Sequence, residues 1–86
     1  MPKSLRSPLQ QRLQELLISQ RKSKNFTQAD LATRLGRPQS FVAKYEGGER
    51  RLDVVEFVEV TTALESDPCE MLASALKNRE KTDKAP

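Results

Sequence analysis

Gln39, Ser40, Ala43 and Lys44 fall at spacings that bring them to one side of a short helix, a side that is small, polar and free to touch a partner. The Gln39 amide donates and accepts hydrogen bonds at once, and Lys44 adds a charged donor. Arg37, Arg50 and Arg51 bracket the same stretch, and each is placed to hold an anion as a point charge or a fork. An alternative role for Arg50 and Arg51 is capping or solubility near the helix that follows. This is binding chemistry, not catalysis. No histidine occurs in the 86 residues, so the commonest acid-base group and metal ligand is missing, and the single Cys69 cannot form an internal disulfide. Cys69 reads as a small apolar filler. We therefore expect no enzyme, no catalytic residues, no metal and no cofactor.

The elements that must position this face are two short helices around a glycine-centred turn. Thr27 is an N-cap type, and Leu31, Ala32 and Leu35 then recur along one face of a helix starting at Gln28. Gly36 follows the last apolar residue, where helices commonly end on a left-handed residue, and Pro38 both excludes Arg37 from the helical region and suits a helix start. In the restarted helix, over about 38–46, Val42 and Tyr45 are three apart and can pack back on Leu31 and Leu35.

These residues resemble the lambda-repressor-like (Cro/Xre) helix-turn-helix family of transcriptional regulators. The family's apolar, small, apolar and Gly positions are held by Leu31, Ala32, Leu35 and Gly36; Val42 and Tyr45 match as well, as do Gln28 and the Glu-x-Gly ending at Glu46 and Gly48. Small Ala32 suits a close helix crossing. Arg37 departs from the pattern, which usually has an apolar residue there. The resemblance covers roughly residues 9–76. It implies sequence-specific binding of double-stranded DNA, with the third helix in the major groove and Gln39, Ser40, Ala43 and Lys44 on base edges. Gln28 and the first N–H groups of the second helix would meet phosphate, with Arg37, Arg50 and Arg51 as further phosphate holders. Arg21 matches the arginine that pairs with the glutamate held here by Glu46; such a pair either ties the helices together from a partly buried position or is solvated and weak.

The rest of the chain reads as an all-α, five-helix domain over 8–76, between a loose basic arm at 1–7 and a disordered polar tail at 77–86. Ser7 and Pro8 start a first helix over about 8–23, with a stripe at Leu9, Leu13, Leu16 and Leu17; Arg21, Lys22, Lys24 and Asn25 mark its end, and Phe26 is a core candidate. Asp53 and Glu56 form a capping box for a fourth helix, which Val and Thr content pulls toward strand but the face Val54, Phe57, Val60, Thr61 and Leu64 supports. Asp67, Pro68 and Glu70 start a fifth helix ending near Leu76, with Met71, Leu72, Ala75 and Leu76 as inner or interface residues.

The net charge of +3 divides into +7 over residues 1–51, −6 over 52–76 and +2 over 77–86. Such a distribution would attract one side of the protein to a polyanion and repel the other; the alternative is ordinary solvated surface. One domain of this length is too small to enclose a deep substrate pocket. No apolar run reaches membrane-span length, and the N-terminal segment lacks the apolar core of a signal peptide, so a cytoplasmic protein without a membrane partner is expected. The short reading helix and the resemblance both imply a homodimer through the fourth and fifth helices, with Met71, Leu72 and Leu76 at the interface. A second reading is a protein-interaction module, an antitoxin or adaptor, docking through Glu56, Glu59, Glu65 and Glu70.

Overall fold

Each helix in the computed structural model begins or ends where a local signal in the sequence puts it. The structure describes residues 7–83, with side chains through Lys77; most of the expected N-terminal arm and residues 84–86 of the tail lie outside that range. The elements are α1 (Pro8–Ser23), α2 (Gln28–Leu35), α3 (Gln39–Glu46), α4 (Val54–Ala63) and α5 (Pro68–Asp83). Four starts are closed by side chains, among them that of α5, where Asp67 Oδ1 accepts from Cys69 N–H at 2.8 Å and Glu70 N–H at 3.3 Å. The Ser7 hydroxyl accepts from Gln10 N–H at 3.1 Å, and Thr27 and Asp53 head capping boxes with Asp30 and Glu56. The box at α4, with Glu56 N–H donating to Asp53 Oδ1 at 2.7 Å and Asp53 N–H to Glu56 Oε1 at 3.0 Å, fixes a helix in a Val-rich stretch that propensity alone leaves open.

Three helix ends share one closing device. Asn25, Gly36 and Glu65 each adopt a left-handed backbone, with φ of 63°, 67° and 60°. Around Gly36 the glycine N–H donates to Thr33 O and Arg37 N–H donates to Ala32 O, which satisfies carbonyls that the helix end would leave free; the same pairing recurs at Asn25 and Glu65. The chain thus reverses between α2 and α3 in three residues.

α1 packs along α5 and against α3, α2 packs on α3, and α4 braces both α2 and α5. The core is built from Leu17, Leu31, Ala32, Phe41, Val42, Tyr45, Phe57, Val60, Leu64 and Met71. Thr61 is also buried, its hydroxyl donating to the Phe57 carbonyl at 3.0 Å. Several expectations need correction. Leu35 and Phe26 are only half-buried at the core's edge. Phe41, absent from the expected apolar face, is a core residue because it lies one turn before Tyr45 on α3, and the two rings meet edge to face at 5.6 Å. Val54 is 79% exposed rather than inward, while Glu56 and Phe57 of the same turn are buried. Met71 is core and not interface, whereas Leu72 and Leu76 are exposed. α5 runs on to Asp83, past the expected end near Leu76, with no glycine or proline to stop it.

These burials rank the side chains. Leu31→Ala should cost about 3–5 kcal/mol, half-buried Leu35→Ala about 2 kcal/mol, and Ser40→Ala almost nothing. Urea or thermal melts of the three variants check that order.

Candidate nucleic-acid interface

The position of α3 is set by a buried carboxylate at its last residue. Glu46 accepts from Arg21 Nε at 2.7 Å and Nη2 at 3.1 Å and from the Gln28 amide at 2.9 Å, so α1, α2 and α3 meet at one group. The Arg21 and Glu46 side chains are 11% and 5% exposed, which places the pair in the buried regime rather than among weak surface pairs. The hydrogen bonds to Glu46 hold the guanidinium pKa above its ordinary value. Arg21 Nη1 also donates to Phe26 O at 2.7 Å, and Gln14 Nε2 donates to Glu46 O at 2.7 Å, capping the end of α3 from α1. Gln14 escapes sequence reasoning because its partner is a backbone carbonyl 32 positions away. Burial raises the pKa of the Tyr45 hydroxyl, which lies inside without a hydrogen-bond partner among the described residues.

With α3 held in this way, Gln39, Ser40, Ala43 and Lys44 are all exposed on its outer side, and Phe41, Val42, Tyr45 and Glu46 are buried on its inner side. The four expected contact residues therefore form one face. α3 starts after Pro38 with no side-chain cap, which leaves its first N–H groups without an internal side-chain partner.

The expected phosphate holders are less alike than their types suggest. Gln28 is half-buried and its amide is engaged with Glu46. Arg51 is exposed. Arg50 donates from Nη1 and Nη2 to the two oxygens of Glu56 at 2.8 and 2.7 Å, and Arg37 reaches Glu56 at 3.7 Å and Glu59 at 3.2 Å. Both guanidinium groups stand over the Phe41 ring, at 4.5 Å for Arg37 and 5.0 Å for Arg50. This stacking explains how an arginine occupies the turn where an apolar residue is usual. Lys24 and Arg34 likewise reach Glu65, so ion pairs stitch the basic first part of the chain to its acidic second part. These contacts pair four cations of the basic part with three carboxylates of the acidic part.

Glu56 is buried, and its bonds from Arg50 and the Asp53 backbone hold its pKa at about 2 against an ordinary 4.5. A carboxylate with a depressed folded-state pKa stabilises fully above 4.5, and that contribution disappears as pH falls toward 2. Wild type should therefore melt above Glu56→Gln near neutral pH, and the gap should close across this acid window. A gap independent of pH contradicts the assignment.

Comparison with known proteins agrees with this geometry. The sequence pattern of a helix-turn-helix family matches residues 17–71. The chain is similar to a solved XRE-family like protein from Pseudomonas syringae pv. tomato str. DC3000, at 43% identity over 87% of this chain and 92% of that one, with a TM-score of 0.81. It is also similar to the restriction-modification controller protein C.AhdI from Aeromonas hydrophila, at 29% identity over 72% of this chain and 94% of that one, with a TM-score of 0.67. A variant of a further controller protein, C.Esp1396I, shares the fold at 22% identity, with a TM-score of 0.76 over 85% of this chain and 92% of that one. No match was found among curated proteins. The helix-turn-helix at α2 and α3, the five-helix frame around it and these likenesses agree: the chain belongs to the lambda-repressor-like (Cro/Xre) helix-turn-helix family.

Proposed function

We propose that this protein is a cytoplasmic, sequence-specific DNA-binding transcriptional regulator that places α3 in the major groove. The observation that carries the reading is the exposed row Gln39, Ser40, Ala43 and Lys44 on a helix whose opposite side is pinned at Glu46. Gln39 sits at the start of α3, where its amide suits the paired donor and acceptor of adenine N6 and N7. Ser40 and Lys44 extend the polar row, and Ala43 offers a methyl contact to thymine. Arg51 and the donors of Arg37, Arg50 and Gln28 that remain beyond their internal contacts hold phosphates, which fixes register without reading sequence.

The antitoxin or adaptor reading is weaker than the sequence suggests. Of its four glutamates, Glu56 is buried, and Glu56, Glu59 and Glu65 are already in ion pairs with Arg37, Arg50, Lys24 and Arg34.

Gln39→Ala should weaken binding to the preferred duplex by about 1–3 kcal/mol and leave random duplex almost unchanged. Arg51→Ala should weaken both and reduce the salt slope by about one, because one phosphate contact is lost wherever the protein sits. Arg51 is a cleaner probe than Arg50, whose removal also strips Glu56 of its partner. Mobility-shift titrations at two salt concentrations distinguish these effects, and equal losses on both duplexes for Gln39→Ala would remove it as a reader.

A homodimer completes the proposal, since α3 spans only eight residues and covers few base pairs. Val54, Val55 and Val58 on α4 and Leu72 and Leu76 on α5 are exposed apolar residues that a second copy would cover. Half-sites should then lie about 34 Å apart. Light scattering should give twice the monomer mass, and Leu72→Glu should halve it; a monomer both free and on DNA contradicts the dimer.

A further inference from the structure

The Arg37, Arg50, Phe41 and Glu56 cluster joins the turn before α3, the loop after it and the first turn of α4. Its charges do not behave alike. Glu56 is fixed on three sides, by the Asp53 N–H of its own capping box at 3.0 Å and by both arms of Arg50 at 2.7 and 2.8 Å. Arg50 Nη1 donates in addition to Arg51 O at 3.0 Å, so of five N–H groups the Nε–H and one on Nη2 are left on a side chain that is 40% exposed. Arg37 is held more loosely, at 3.7 Å from Glu56 and 3.2 Å from Glu59, and Glu59 itself is half-exposed. Two guanidinium groups are thus stacked over one ring on the reading helix, one locked by a buried carboxylate and the other paired with a carboxylate in solvent.

We propose that Glu56 is a positioning residue for DNA binding: it locks Arg50 as a fixed phosphate-holding fork beside α3 and draws Arg37 alongside, where Arg37 trades Glu59 for a second phosphate. The inference rests on the DNA-binding reading above and adds to it a negatively charged residue that promotes binding to a polyanion. Simple electrostatics gives the opposite sign. Deleting a negative charge next to two arginines raises the local positive potential, so charge alone predicts that Glu56→Gln and Glu59→Gln both tighten binding. Positioning predicts that they part. Without its charge, residue 56 no longer grips the fork, and Arg50 loses the orientation that makes its free donors available together.

The test is fluorescence anisotropy of the full chain on a duplex selected by the wild type and on a random duplex, at two salt concentrations and well below the melting temperature of every variant. Glu56→Gln should weaken binding to both duplexes by about tenfold, and Arg50→Lys, which keeps the charge and loses the fork, should do the same. Glu59→Gln should tighten binding to both by about two- to fivefold, because Arg37 no longer has its nearer carboxylate to leave. A folded Glu56→Gln that binds as well as wild type, or better, overturns the proposal and shows a purely structural ion pair. Should Glu56→Gln fail to fold, Arg50→Lys with undiminished affinity overturns it equally. Wild type that binds no duplex even at low salt removes the DNA-binding reading and this inference together, whereas wild type that binds alongside fully active Glu56→Gln and Arg50→Lys removes the inference alone.

Discussion

The Glu46 carboxylate is the contact on which the proposed reading surface depends. α3 has eight residues and no side-chain cap, and a helix of that length does not hold its shape in water on its own. Its last residue is tied to α1 through Arg21 and to α2 through Gln28, and Gln14 holds the final carbonyl. Removing only one partner from a buried pair of this kind typically costs about 3–5 kcal/mol, because the other charge is stranded away from water. Arg21 and Glu46 therefore act through geometry: they present Gln39, Ser40, Ala43 and Lys44 without facing a partner themselves.

Charge is arranged with the same economy. Arg37 and Arg50 come from the basic part of the chain, yet both reach into α4 and meet carboxylates there. Those two guanidinium groups are paired at α4, whereas Lys44 and Arg51 are exposed and in no ion pair among the described residues. On the proposed DNA-binding reading, register on a phosphate backbone would depend on where a few guanidinium groups are held, more than on the field of the whole molecule.

Much of this was legible in the sequence because it is encoded locally. Thr27, Gly36, Asp53 and the Ser7-Pro8 pair mark helix boundaries by chemistry that acts within three or four residues, and all of them work as read. The Arg21 to Glu46 pair came from family resemblance alone, since no local rule links positions 25 apart. What escaped was non-local or ambiguous. Phe41 stands four before Tyr45, a spacing as good as that of Val42, but an eight-residue helix offers too few turns to show which stripe faces inward. The aim of Val54, the split between buried Met71 and exposed Leu72, and the Gln14 cap are all decided by how α1, α4 and α5 cross, which no single segment contains.

The central claim is that the outer face of α3 meets base edges in the major groove. Methylation interference on a duplex selected by the wild-type chain from a random pool addresses it directly, because dimethyl sulfate marks guanine N7 in the major groove and adenine N3 in the minor groove. The account predicts that N7 methylation at a few clustered guanines abolishes binding while N3 methylation of the adenines interspersed among them is tolerated; interference confined to adenine N3, or absent from the grooves altogether, would contradict it.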